Sequence, residues 1–510
     1  MARIAVIGAG MGAMATAARL AVAGHRVVVY ERGPAHGGAV GLFERGGFAF
    51  DTGPGLLHLP AVYRDLFVKT GKETLERSVE LSQVDPAARH LFADGTEVLL
   101  PNASHGGVGQ ALDGAFGAGA GERWSDLLTR AREAWDATRR PLLEEPLRAD
   151  WQALGRDPYP AAPVRRWFGG RRPATLAEVA RRELKDPRAV ALLESHALAH
   201  GIDPRSAPAS ATVLPYLEQT FGTWYVRGGT RALADALYER CRQRRVEFRF
   251  DAEVTGIAVR DGRAAGLALA DGTAVEADAV VAAVDPALLP PLLGGARPWG
   301  DGDVAPDPDP GHGSAGRLTV HLALRGARPE GTPHRTVVHA PDRAAELAGV
   351  FGDGHRTRRP CLRPTVTVLR PGDPTVCPDA DHEGVTLTAV VAPHGPVDWA
   401  DREAAEDDAD GLMTAAKAVI PDLADRVLWR EVRTPVDTEA ETGARGGAVP
   451  GPALAGAGGR LLRPANLTRL PGLYLAGGWA HPGGGLAHTG MSGALVAGLI
   501  VEGEDFRGSR

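Results

Sequence analysis

Gly8, Gly10 and Gly12 follow directly on the apolar run Ile4 to Ile7, and Glu31 closes the next such run, Arg26 to Tyr30. Residues of these types in this order suit a dinucleotide. Gly8 permits a tight turn and Gly10 lets the backbone approach a pyrophosphate. A helix opening near Met11 aims free N–H groups and its positive dipole end at that anion. Ala13 stands where a third glycine often falls, and it is small enough for close helix-to-strand packing. Glu31 offers hydrogen-bond acceptors to a ribose diol and repels a 2′-phosphate, which favours FAD or NAD over NADP.

Gly37 and Gly38 bring more backbone toward the same ligand, a feature common in flavin enzymes and rarely needed by nicotinamide enzymes. At the far end of the chain, Leu473 to Ala476 reads as a strand, Gly477 to Gly485 as a glycine turn holding Trp479 and His481, and Thr489 to Ile500 as a helix. A backbone nest with a helix N-terminus stabilises partial negative charge. A reduced flavin carries such charge at N1 and O2, so the turn suits an isoalloxazine ring. Arg32, Ala39, Gly53, Pro54 and Leu486, which stand within or beside these segments, complete the expected cofactor contacts.

The elements that must hold these segments are legible from their pattern. At 510 residues the chain exceeds a single core, and two domains are expected. A hairpin, Val40 to Glu44 and Gly47 to Phe50, leads into Asp51 to Gly55. From Val84 to Gly222 longer helical segments prevail, among them Glu122 to Arg140, Leu176 to Leu184 and Arg188 to His200. Trp124, Trp135, Trp151, Trp167, Phe168, Tyr216 and Phe221 lie among them, suited to a core or as a group to an apolar pocket. A helix from Thr230 to Arg244, a strand Val246 to Phe250, a meander and a buried strand Ala277 to Ala283 then complete the order of a glutathione-reductase-type flavin domain. Residues 294–316 read as a mobile loop, followed by strands Leu318 to Leu324, Thr365 to Leu369 and Val385 to Val391 and a helix Ala400 to Val419.

A net charge of −6 gives no basic surface for nucleic acid. Cys241, Cys361 and Cys377 form no CxxC or zinc spacing, so no metal is expected and the compartment is read as a reducing cytosol. No charged leader precedes the first strand, and no apolar run is long enough to span a bilayer.

GAGMGAMATAARLAVAGHRVVVYE, GGFAFDTGP (Gly46 to Pro54), YVRGGTRALADAL (Tyr225 to Leu237) and LPGLYLAGGWAHPGGGLAHTGMSGALVAGLI together resemble the bacterial-type phytoene desaturases of the flavin amine oxidase superfamily. The resemblance implies an α/β fold. A glutathione-reductase-type FAD-binding Rossmann domain (1–85, 220–295, 445–510) carries an inserted α+β substrate domain (86–219, 296–444). It implies dissociable FAD and apolar polyene or isoprenoid substrates reached from a membrane, hence a cytoplasmic protein in peripheral contact with the membrane's inner face. Gly8, Gly10, Glu31, Gly38 and Val254 are implied to hold the ADP part, and Gly478, His481 and Met491 to lie near the flavin. Ala39 stands where the family often has Arg or Lys, removing one phosphate contact. The turn GGWAHPGGG is closer to later-acting carotenoid dehydrogenases than to the first desaturase.

Desaturation needs a hydride acceptor, flavin N5, and a sink for a proton from the neighbouring carbon. His481, His58 and His488 are the candidate sinks, and Tyr225, Arg227 and Trp479 are expected to border the pocket. Two other functions are compatible with the same segments: a flavin-dependent redox cyclase or isomerase of a polyene natural product, and a non-catalytic escort-type protein.

Overall fold

The structure is a computed structural model that describes residues 1–165, 171–306, 314–353 and 360–508. Trp167, Phe168 and part of the expected loop at 294–316 lie outside the described residues. Of that loop's described part, 294–306 holds no helix or strand, and Gly316, within the expected loop, already opens a strand.

Arg3–Ile7 is buried from its second residue on and pairs in parallel on both sides, Val6 opposite Val29 and Val281. A strand enclosed in this way reads as an unbroken apolar run because helices cover both faces of its sheet. The sheet has five strands, in the order Glu247–Arg249, Arg26–Tyr30, Arg3–Ile7, Ala279–Ala282 and Leu473–Leu475, all parallel. It therefore gathers residues from the beginning, middle and end of the chain. The expected meander is present as Val254–Arg260, Arg263–Leu269 and Ala274–Glu276.

The opening helix, Met11–Val22, lies against the C-terminal helix, Leu486–Glu502. Small residues allow the approach. A Cβ on Gly493 would stand 2.6 Å from the Ala15 Cβ, and one on Gly12 would stand 2.7 Å from the Gly477 Cα. The C-terminal helix starts at Leu486, about a turn before the expected Thr489, because the glycine run ends at Gly485 and nothing after it opposes helix.

Among the described residues the second sheet has seven strands. Their order is Val427–Arg433, Gly316–Arg325, His382–Val391, Val366–Leu369, Arg335–Val338, Ala88–Leu91 and Glu97–Leu100. The last two correct the helical reading of the stretch after Val84. They are short, and Arg89 and His90 mask the alternation that buries Ala88 and His90. One face of this sheet packs Leu318, Val320, Val368, Val385 and Leu387 against Trp399 and the helix Arg402–Lys417. A helical layer, with Trp124, Leu127, Leu176, Leu192 and Leu193 in its core, occupies much of residues 105–221.

Gly493→Val should destabilise the protein by about 1–3 kcal/mol, the usual cost of forcing methyl groups into a close-packed contact. Urea unfolding of the purified holoprotein measures this. An unchanged midpoint would mean that the two helices do not need their close approach.

Candidate active site

Both glycine segments open onto one cavity of about 1590 Å³. A single drug-sized ligand takes roughly 300–1,000 Å³, so a cofactor and a substrate fit together. Residues 7–13 and 30–42 line it from one side, and Gly477, Gly478, Trp479 and Gly484 to Thr489 line it from the other.

Neither helix that ends here is capped. The opening helix has Gly10 and the C-terminal helix has Gly485 at its N-cap, with no side-chain cap and no acid in the first turn of either. Two sets of backbone N–H groups and two positive dipole ends are thus left for a ligand's negative charge. Gly37 donates its N–H to Ala9 O at 2.9 Å, so the glycine pair is held against the glycine turn. Glu31 Oε2 accepts from Ala9 N at 2.7 Å and Oε1 from Gly33 N at 2.9 Å. Each carboxylate oxygen retains a lone pair, so a ribose diol is still accommodated. This donor and acceptor set fits FAD: the opening helix would hold the pyrophosphate and the C-terminal one the ring.

Asp51 ties two of the sequence motifs together. Its carboxylate accepts from Thr230 N at 2.8 Å and Arg231 N at 3.0 Å, capping the helix Thr230–Gln243, and Thr230 Oγ1 donates to Pro54 O at 2.7 Å. Burial raises the Asp51 carboxyl to about 6, against the lowering effect of these bonds. Tyr225 lines the cavity and donates its hydroxyl to Asp373 at 2.9 Å.

Gly8, Gly10, Met11, Gly12, Ala13, Glu31, Arg32, Gly37, Gly38, Ala39, Gly53, Pro54, Val254, Gly477, Gly478 and Leu486 all line the cavity, as do His58, His488, Tyr225 and Trp479. Met491 does not; it follows the helix's first turn. Arg227 does not line it either, because its guanidinium turns outward to Glu80 at 2.9 Å.

His481 is the main correction. Its ring is fully buried outside the cavity lining, with Nε2 3.0 Å from Glu145 O and Nδ1 without a partner. Burial lowers it to about 4. Its backbone N–H donates to Pro464 O and its carbonyl accepts from Asn466 Nδ2, so the residue fastens the turn to residue 145 and not to the substrate space.

A polar group that sequence reasoning missed lines the cavity away from the glycine segments: Glu218 with Arg335, His196, His200, His90 and Arg317. Burial alone would raise the Glu218 carboxyl, but Arg335, His196 and His58 together outweigh it and hold the carboxyl below the usual range. His58 and His488 are both lowered by burial, His488 to about 4, so both rings are neutral near pH 7.

The model of the family described as flavin containing amine oxidoreductase matches residues 14–501, and the chain belongs to that family. The protein is an FAD-dependent oxidoreductase. It is similar to the 4,4'-diapolycopene oxygenase of a Methylomonas species, at 28% identity over 98% of each chain. The hydroxyneurosporene desaturase of Cereibacter sphaeroides is 30% identical over 98% of this chain and 97% of its own. Among solved structures, an oxidoreductase from Methanosarcina mazei superposes with a TM-score of 0.63 at 17% identity, covering 97% of this chain and 99% of its own, and so shares the fold.

Glu31→Ala should weaken FAD binding roughly ten- to a hundredfold, since a hydrogen bond to a charged group is worth about 1.5–3 kcal/mol. Titration of apoprotein with FAD checks this, and unchanged affinity would remove Glu31 from the ribose.

Proposed function

We propose that this enzyme desaturates a carotenoid-like polyene. The observation that carries the reading is the single cavity, in which the uncapped helix ends and the substrate-side residues share one space. The named activities of the similar proteins support it. Residues 1–85, 220–295 and 445–510 hold FAD in this reading, and 86–219 with 296–444 hold the substrate.

The chemistry bound FAD supplies is acceptance of a hydride from one substrate carbon; the neighbouring carbon gives up a proton, and the C–C bond becomes C=C. His58 is the proton acceptor we assign. It lines the cavity, its Nδ1 is buried without a partner, and it is neutral near pH 7. The Glu218 carboxylate favours its protonated form, which steadies the imidazolium as it forms. His488, at the start of the C-terminal helix, is the alternative acceptor. His481 holds the turn in place through Glu145 and takes no proton from substrate.

No described helix is long and apolar enough to cross a membrane. A polyene partitions into a bilayer, so the enzyme collects it by peripheral contact with the membrane surface.

Anaerobic mixing with hydroxyneurosporene or a related polyene should bleach the oxidised flavin band and yield product with an added double bond. No bleaching with any polyene would overturn the reading. His58→Phe should retain FAD and slow flavin reduction by at least about 100-fold, the lower range for a general base. His481→Phe should stay within about threefold of the parent rate while lowering stability. The reverse pattern would return His481 to the chemistry.

A further inference from the structure

Arg317 is placed where a hydrocarbon pocket has no use for a cation. On Gly316–Arg325, Leu318, Val320, Leu322 and Leu324 enter the core behind the sheet, while Arg317 and Thr319 face the cavity. Its Nη2 donates to Ala199 O at 2.9 Å. Among the described residues, no carboxylate stands within ion-pair distance of it. Arg335, Arg433 and Arg231 line the same cavity, and each has its own carboxylate: Glu218, Glu441 and Asp235. Arg32, also in the lining, is without a carboxylate too among the described residues, but it stands beside the glycine segments and donates to Ala440 O at 2.8 Å. Among the lining arginines of the seven-stranded sheet, Arg317 is the exception. Burial lowers its pKa with no acid opposing, yet a guanidinium keeps its proton in a protein. His200, whose ring feels the Arg317 charge, is lowered by burial to about 3, so it is neutral near pH 7 and, like any imidazole, offers no counter-charge.

A second observation points the same way. Thr319 pairs across the sheet with Thr388, and Thr388 with Thr367; all three line the cavity. Beside Val390, the cross-strand neighbour of Arg317, the floor thus carries a row of hydroxyl-bearing side chains, whereas a site for bare hydrocarbon is lined by apolar ones throughout. Arg317 is half-buried and open to the cavity. A hydrocarbon filling that space would strip water from a cation without a counter-charge, which is costly, and a planar guanidinium matches a carboxylate through two parallel hydrogen bonds.

We propose that the substrate is a polyene bearing a carboxylate, and that Arg317 binds that carboxylate. The inference rests on the polyene reading above and narrows it to an acid-bearing chain. The carboxylate completes the charge balance on this face and fixes how far the chain slides past the flavin, and hence which bond is presented.

The test uses all-trans-retinoate and all-trans-retinol, which share a chain and differ in the carboxylate, with binding to holoenzyme read as perturbation of the flavin spectrum. The parent should bind retinoate at least about tenfold tighter than retinol. Arg317→Gln should remove that preference and leave retinol binding and FAD content unchanged, and Arg317→Lys should restore part of it. Equal binding of the two probes by the parent would overturn the proposal. So would an Arg317→Gln variant that weakens both probes alike, or one that lowers FAD affinity with the preference intact. The polyene reading fails separately, if no polyene bleaches the flavin. A retinoate preference lost in Arg317→Gln supports the carboxylate site under either outcome.

Discussion

The close approach of the opening and C-terminal helices is the constraint on which this structure depends. Gly12 against Gly477 and Gly493 against Ala15 leave no room for a side chain on Gly12 or Gly493. That contact sets two helix N-termini from opposite ends of the chain on one cavity. Each end lacks a cap, and a capping side chain would satisfy the N–H groups that the ligand needs. The glycines thus serve packing and binding together. Bulk at the crossing would separate the two halves of the cofactor site.

Buried polar groups then hold the loops around this frame. Asp51 caps a helix nearly two hundred residues away in sequence, and Glu31 organises backbone at Ala9 and Gly33. His481 belongs to the same class, since its ring and its backbone hold the C-terminal turn to neighbouring segments. Desolvation makes such groups costly unless bonded, and bonded groups fix their surroundings in one arrangement. The seven-stranded sheet divides its labour by face. Leucine and valine meet Trp399 on one side, and threonine and arginine face the cavity on the other.

Much of the cofactor half was legible in the sequence because its determinants are local. A glycine that must turn, a short apolar run and an acid at a strand end act within a few residues, and Gly8, Gly10, Glu31, Gly38 and Gly478 all face the cavity. Boundaries shifted by a turn or less where a glycine cap was read as loop, as at Leu486. The polar group around Glu218 was not legible. Glu218 and Arg335 are 117 residues apart and each is unremarkable in its own helix or strand.

By itself the sequence determined the dinucleotide frame, the flavin-type glycine turn and the parallel sheet, since periodicity and backbone freedom are properties of neighbouring residues. Only the tertiary structure decided which polar side chains face the cavity. His481 and His58 look equivalent along the chain, yet one ring is sealed against Glu145 and the other lines the cavity. Arg317 reads as one charge in an apolar strand until the cavity and its neighbours are in place. Direction, burial and the presence of a counter-charge are set by elements distant in sequence, and those three quantities decide what a charged side chain does.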